Sequence, residues 1–167
     1  MATVYQHLEP ESASPVGTAF PQFRRFSGTN FSPTILAFDA ATKESCSWDT
    51  HATNYGSGNL TVQIYWAADT ATSGDVIFGA QIAAITADTD TQDITTDGLA
   101  TASTVTDTHL GTTARRLHLA TITVSNLDSL ANGDDLTIVF YRDAAAGGDT
   151  MTGDAWVKRV RLSYSDT

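Results

Sequence analysis

The chain has 167 residues, which fits one domain, and its formal net charge is −10 at pH 7. This charge argues against nucleic acid and against an anionic membrane surface as partners, because both are bound by basic protein surfaces. The single cysteine, Cys46, excludes an intramolecular disulfide, and no apolar run reaches the ~18 residues that a membrane-spanning helix requires.

Residues 1–33 predict an extended N-terminal arm. All four prolines lie in this segment, and proline removes a backbone donor and favours an extended predecessor, so neither a helix nor a central strand is expected. Four phenylalanines need an apolar partner, which is either the arm's own domain or another chain. We predict an interface with another chain here, with the residues Phe20, Phe23, Arg24, Arg25, Phe26 and Phe31.

Residues 34–167 predict an all-β domain. Runs rich in Thr, Val and Ile alternate with glycine-bearing turns, which is typical of antiparallel strands. The expected fold is an eight-stranded antiparallel β-sandwich, jelly-roll-like, with almost no helix. One helical turn is expected between Ser125 and Gly133. The predicted strands are residues 34–40, 45–52, 60–68, 75–87, 100–107, 117–126, 135–144 and 155–165.

Residues 59–85 carry the clearest strand pattern, two apolar runs joined by a short polar turn, which predicts a β-hairpin. Apolar residues alternate with more polar ones from Leu60 to Trp66, so one face is expected in the core. The same alternation places Trp156 on the buried face of the last strand. Arg159 and Arg161 then point outward, where they either protect a sheet edge by charge or contact an acidic neighbouring subunit.

No pattern in the chain predicts catalysis. The four histidines are scattered singly, and the chain lacks a nucleophile elbow, a P-loop and a dinucleotide-binding glycine motif. The expectation is a protein that is not an enzyme and has no catalytic residue, metal or cofactor. The spacing of Asp88, Asp90 and Asp93 leaves two interpretations open, a calcium loop or a solvated acidic loop.

Four segments resemble a family of small β-sandwich virion proteins of tailed bacteriophages: Leu36–Ala40, Asn54–Val76, Asp128–Asp134 and Gly153–Tyr164. The resemblance covers roughly residues 34 to 165, and its motifs mark turns and strands rather than a reaction. It implies a capsid cement or decoration protein on the outer surface of the phage head, made in the host cytoplasm. Its partner would be the major capsid protein, whose neighbouring subunits it would bridge.

Two other functions stay open. One is a tail fibre, spike or baseplate module that binds a host-surface glycan, with Tyr55, Tyr65 and Tyr141 as candidate aromatic contacts. The other is an unrecognised enzyme on a jelly-roll fold. Outward-facing Ile77 and Ile85, together with the arm, exceed the apolar surface that one sandwich needs, so we predict a homotrimer, with a homodimer as the alternative.

Overall fold

Eleven antiparallel strands form two sheets that pack face to face in a computed structural model, which describes residues 2–167. Within this range the single helical element is a 3₁₀ turn at Pro10–Ser12, and no helix is long and apolar enough to cross a membrane. The strands are β1 (Thr3–Leu8), β2 (Ser14–Pro15), β3 (Gln22–Arg25), β4 (Thr34–Phe38), β5 (Glu44–His51), β6 (Leu60–Ala68), β7 (Asp75–Ile85), β8 (Ser103–Thr108), β9 (His118–Val124), β10 (Asp135–Arg142) and β11 (Ala155–Ser165).

The predicted fold class, an all-β antiparallel sandwich, is confirmed. The first sheet has the order β3-β4-β11-β6-β9, with β1 also paired to β11, and the second has the order β2-β5-β10-β7-β8. All eight predicted strands form, as β4 to β11. The strand count is eleven rather than eight because the proline-rich segment contributes β1, β2 and β3.

Residues 2–33 contribute three strands and a 3₁₀ turn, and they lie against their own sandwich. β1 pairs with β11 from Thr3↔Ser165 to Leu8↔Val160, while β2 and β3 are short edge pieces on β5 and β4. Prolines between these pieces remove backbone donors, which explains why each stretch is short. Three phenylalanines of this segment keep a large exposed fraction, so their contact with a second chain stays a prediction: Phe20 (49%), Phe23 (54%) and Phe31 (73%).

The predicted hairpin at residues 59–85 is wrong. β6 pairs with β9 and β11 in the first sheet, whereas β7 pairs with β8 and β10 in the second. The connection at residues 69–74 therefore crosses from one sheet to the other. The two apolar faces meet across the core instead of along a shared edge, and the rings of Trp66 and Phe78 lie 5.9 Å apart in an edge-to-face arrangement.

The core lies between the sheets, on the faces that the alternation predicted. In β6, β7, β9 and β10 the inward residues are almost fully buried, and each large apolar side chain there stabilises the fold by about 1.5–3 kcal/mol. Phe140 contacts Phe38 edge-to-face at 5.4 Å and stacks on Phe78 at the same distance. These rings tie the two sheets together at the centre of the sandwich.

The predicted helical turn between Ser125 and Gly133 does not form. Asp128 and Ser129 have φ values of 51° and 59°, in the left-handed region, which makes this connection a tight turn. An Asp128 carboxylate oxygen accepts the Ala84 N–H at 3.0 Å and so holds the turn against β7. This side-chain bond is available to Asp in a turn and competes with helix formation.

Arg142 at the end of β10 is fully buried. Its guanidinium makes a two-pronged ion pair with Asp149, with Nε–Oδ2 and Nη2–Oδ1 distances of 3.0 and 2.8 Å. Its remaining donors reach the carbonyl oxygens of Gly153 (2.8 Å) and Met151 (2.9 Å). The charge is therefore neutralised and hydrogen-bonded, which a buried guanidinium requires.

Candidate ligand-binding face

Aromatic, aliphatic and basic side chains are mixed on the outer face of the first sheet. Along β6 and β9, residues alternate between fully buried and partly or fully exposed, so every second side chain reaches this face. The outer face is defined by Tyr5, Ile35, Ala37, Gln63, Tyr65, Ala67, Leu119, Trp156, Arg159 and Arg161.

A β-bulge turns Trp156 onto this face. The pairing of β11 with β6 shifts register between Val157 and Arg159, so the residues before the bulge change sides relative to those after it. Val157 thereby enters the core, and Trp156 packs on Ile35 and Ala37 outside it. The prediction that Trp156 shares a face with the residues after the bulge, Val160 to Tyr164, is wrong for this reason.

A cavity of about 430 Å³ lies on the outer face beside Trp156. Its floor is apolar and its rim is mixed, with Phe31 (73% exposed) and Leu117 (54% exposed) beside polar groups. The lining residues are Phe26, Gly28, Thr29, Asn30, Phe31, Pro33, Ile35, Ala67, Arg115, Leu117, Trp156 and Lys158. Within the part of the chain that the structure describes, this lining contains no acidic residue, histidine or cysteine.

The wall of the cavity is a closed loop at residues 26–33. The Phe26 N–H donates to the Pro33 carbonyl at 2.9 Å and joins the two ends of the loop. A Cβ at Gly28 would lie 2.5 Å from the Phe31 carbonyl oxygen, so the loop requires glycine at that position. The Phe26 ring packs on Trp156, with ring centroids 4.9 Å apart.

Arg115 lies over the aromatic floor. Its guanidinium carbon is 4.4 Å from the centroid of Phe26 and 5.0 Å from that of Trp156, a cation–π arrangement with both rings. The Trp156 indole N–H is buried and has no acceptor among residues 2–167. The cavity thus combines two aromatic rings and an exposed cation, a mixture typical of ligand sites.

The predicted interface residues lie in four places: two cavities, strand β3 and strand β11. Phe26 and Phe31 line this cavity, whereas Phe20 and Phe23 line a second one of about 500 Å³ beside the buried thiol of Cys46. The arginines of the predicted interface lie on the first sheet. In β3, Arg24 donates to Gln22, and Arg25 is the last residue of the strand. In β11, Arg159 lies 3.5 Å from a Glu9 carboxylate oxygen. Arg161 donates to Gln63 and lies over the ring of Tyr5.

The tyrosines predicted as glycan contacts do not form a groove. Tyr55 is buried, and its hydroxyl donates to the Gly58 carbonyl. Tyr141 is also buried, and its ring packs against Gly79 in the space that a Cβ there would fill. Only Tyr65 reaches the outer face, where it is half-buried. Trp156 and Arg115 were not predicted from the sequence as residues of a site. Two consecutive charges at Lys158 and Arg159 interrupt the alternation in β11 and are the sequence signal for the bulge.

The acidic loop at residues 88–93 makes turn contacts. An Asp90 carboxylate oxygen accepts the Thr86 N–H at 2.8 Å, and one of Asp93 accepts the Thr95 N–H at the same distance. Among residues 2–167, no group of three or more His, Cys, Asp or Glu side chains is arranged to hold a metal ion. These carboxylates therefore act locally, as Asp commonly does in turns.

A buried histidine pair lies where the chain crosses from β8 to β9. The rings of His109 and His118 are 4.4 Å apart, and His118 also stacks on Trp66 at 4.6 Å. His118 Nε2 accepts the Leu110 N–H at 3.0 Å, while the Trp66 indole donates to Asp107 at 2.7 Å. Burial first, and then repulsion from His109, lower the pKa of His118 below its usual value.

We expect the protein to lose stability as the pH falls below about 6.5, the pKa of an unperturbed histidine. Between that value and the lowered folded-state pKa of His118, the unfolded chain binds more protons than the folded one, so acidification favours unfolding. The variant His118→Gln should lack this part of the pH dependence. The measurement is the urea midpoint of unfolding for wild type and variant at about pH 7.5 and about pH 5. An equal change in midpoint between the two pH values for both proteins would contradict the prediction.

No protein-family model and no curated protein matches the sequence. Among solved structures, the chain is similar to the xylan-binding module CBM15, with 9% identity, 99% of both chains covered and a TM-score of 0.53. It is also similar to a non-crystalline cellulose specific carbohydrate-binding module, CBM28, with 10% identity, 93% of this chain and 89% of that chain covered, and a TM-score of 0.53. A third is CBM35 from Cellvibrio japonicus Abf62, with 11% identity, 99% of both chains covered and a TM-score of 0.51. At these identities the likeness shows a shared β-sandwich fold.

The predicted function as a capsid cement protein is wrong. The three solved structures named above share the fold over nearly the whole chain and are carbohydrate-binding modules, and no family model connects the sequence to a decoration protein. The motifs behind the phage resemblance are turns and strand faces, which any sandwich of this shape needs. The homotrimer, the virion location and the absence of enzyme activity stay predictions.

Proposed function

We propose that the protein is a glycan-binding module and that its binding site is the cavity on the outer face of the first sheet. The observation that carries this proposal is the mixed character of the cavity, which has an aromatic floor at Phe26 and Trp156 and a polar and aromatic rim. The fold shared with carbohydrate-binding modules supports it.

The chemistry of a sugar ring matches this arrangement. A pyranose presents C–H bonds on its faces and hydroxyl groups around its edge. The C–H face is attracted to the electron-rich face of an aromatic ring, and its removal from water adds a hydrophobic contribution. Phe31 offers such a face because 73% of its surface is exposed.

The edge of the sugar would meet the polar rim. Thr29 and Asn30 lie on one side of the cavity, and Arg115 and Lys158 provide cationic donors. Hydroxyl groups both donate and accept hydrogen bonds, so a mixed set of this kind fixes the orientation of the ring. The Trp156 N–H, which lacks an acceptor among residues 2–167, adds a donor at the floor.

The lining also supports binding without hydrolysis. Glycoside hydrolysis by the common mechanism uses two carboxyl groups that flank the scissile bond. None of the residues around this cavity, within the described range, carries a carboxylate. The proposed activity is therefore recognition, which would bring the chain to a glycan surface.

Phe31→Ala is expected to weaken glycan binding about tenfold or more and to leave the fold unchanged, because the lost aromatic face is exposed and outside the core. The measurement is isothermal titration calorimetry with oligosaccharides chosen from a polysaccharide affinity-gel screen. Phe20→Ala is the matched control, since Phe20 is also half-exposed but lines the second cavity. Equal losses in both variants, or binding by neither variant nor wild type to any glycan, would refute the proposed site.

A further inference from the structure

We infer that the outer face selects acidic glycans, those that carry carboxylate groups such as uronic acids. This inference rests on the proposed function and names the ligand class of the same site. Three features support it: the charge distribution between the sheets, the lack of a carboxylate partner for most of the basic residues, and the position of two cations at the cavity.

Charge is segregated between the two sheets. The six strands of the first sheet contain no Asp or Glu, although the chain has 19 acidic residues. The same strands hold five of the nine basic residues of the chain. Arg115 and Arg116, just before β9, add two more. The five are Arg24, Arg25, Lys158, Arg159 and Arg161. The register pairs Arg24 with outward-facing Ile35 and Arg25 with Thr34, so Arg25 points to the opposite side of the sheet and the other four make the outer face basic.

These basic residues are mostly not neutralised by the protein. Among residues 2–167, Arg159 is the one member of the set with a carboxylate within 4.0 Å, that of Glu9. Arg24 and Arg161 donate to glutamine side chains, and Arg116 donates to the Leu110 carbonyl. Neutral partners leave the charge of a guanidinium uncompensated, so the face attracts anions.

Two of the cations line the cavity itself, Arg115 and Lys158. The flat face of the Arg115 guanidinium lies over the Phe26 and Trp156 rings, and its N–H donors project from its edge. A guanidinium edge matches the two oxygens of a carboxylate. A sugar ring that contacts the aromatic residues would therefore place a carboxylate on its edge within reach of this fork.

The overall charge of −10 does not prevent this binding. At physiological ionic strength, charges are screened over roughly 8 Å, so remote loop carboxylates contribute little at the cavity. The acidic residues nearest this sheet lie beyond strand ends, as Asp154 does directly before β11. The local field at the cavity is set by Arg115 and Lys158.

A second copy of this acidic chain is the other possible occupant of a basic face. Its acidic groups, however, lie in turns and loops and along the strands of the second sheet, away from the apolar residues of the outer face. A uronic acid combines a carboxylate with an apolar ring face in one unit, as the cavity does. Sedimentation velocity at low and high salt distinguishes these occupants.

The test uses matched pairs of tetrasaccharides that differ at C6 alone: galacturonic acid against galactose, glucuronic acid against glucose, and mannuronic acid against mannose, each pair with the same linkage. Titration calorimetry measures each affinity at low and at high NaCl. We expect at least one acidic tetramer to bind about tenfold or more tightly than its neutral partner, with a preference that shrinks as salt rises. Arg115→Gln should reduce that preference.

Arg116→Gln is the control, because it removes the same charge from the next residue, which does not line the cavity, and should reduce the acidic preference much less than Arg115→Gln does. Equal affinity for acidic and neutral partners would overturn the acidic selectivity while the proposed glycan function stands. An acidic preference unaffected by Arg115→Gln would overturn the assignment to this cavity. If no tetramer and no polysaccharide binds, the proposed function fails as well. If sedimentation instead shows a salt-sensitive dimer that Arg115→Gln abolishes, the face is an interface between copies of this chain.

Discussion

Asp149→Ala is expected to lower the free energy of unfolding by roughly 3–5 kcal/mol, the largest effect on stability that we predict for a single substitution. The variant leaves the Arg142 guanidinium fully buried without its counter-charge and deprives the Ile77 N–H of its acceptor. A buried ion whose partner is removed keeps its desolvation penalty and loses the compensating attraction.

Thermal and urea unfolding of wild type and variant measure this effect. Asp143→Ala is the matched control, because it breaks the exposed Lys43–Asp143 pair at 3.3 Å, and pairs of that kind contribute about 1 kcal/mol or less. The double variant Arg142→Met/Asp149→Ala should recover part of the loss, since it removes the stranded charge. A single Asp149→Ala variant as stable as the control would contradict the prediction.

Trp156→Ala is expected to weaken glycan binding by about thirtyfold, because truncation of a tryptophan at the centre of a binding site costs about 2 kcal/mol or more. Trp156 is the floor of the cavity and contacts both Phe26 and Arg115. Its loss removes the ring that they pack on, so the aromatic floor and the cation would both lose their positions.

Trp156→Phe separates the two contributions of this side chain. It keeps an aromatic floor and loses the indole N–H, so its affinity should lie between those of wild type and Trp156→Ala. Calorimetric titrations give the affinities, and near-UV circular dichroism with urea unfolding shows whether each variant is folded. Wild-type affinity in a folded Trp156→Ala protein would exclude the cavity as the binding site.

The capsid interpretation and the glycan interpretation depend on different parts of the molecule. The phage resemblance rests on segments such as Asn54–Val76, which contains β6 and the turns on either side of it, and on the closing strand. The ligand proposal rests on Phe31, Arg115 and Trp156, which line the cavity on the outer face of the first sheet. Shared frame elements identify a fold, while the function belongs to the side chains that a particular chain adds to it.

Much of the fold was predictable from the sequence because strand formation and strand faces are local properties. β6 and β11 begin and end at the predicted residues, and the inward residues of β6, β9 and β10 are those that period-two alternation selects. An alternating apolar pattern needs only its own residues to be recognised, since successive side chains of a strand point to opposite faces.

The pairing of the strands was decided by the tertiary structure. β1 pairs with β11 across almost the whole length of the chain, and β6 and β7 lie in different sheets although six residues separate them. Backbone hydrogen bonds do not depend on side-chain identity, so a strand edge carries little information about its partner. The partners are instead set by how all the apolar faces enclose one core.

The candidate site depended on the tertiary structure even more strongly. Trp156 reaches the outer face through a bulge against β6, and it meets Phe26 and Arg115 from segments far apart in the chain. The sequence by itself determined the acidic charge, the strands and their apolar faces, because these follow from composition and local periodicity. Only the tertiary structure decided which face carries the cavity and the cations, because that depends on register and on contacts between distant segments.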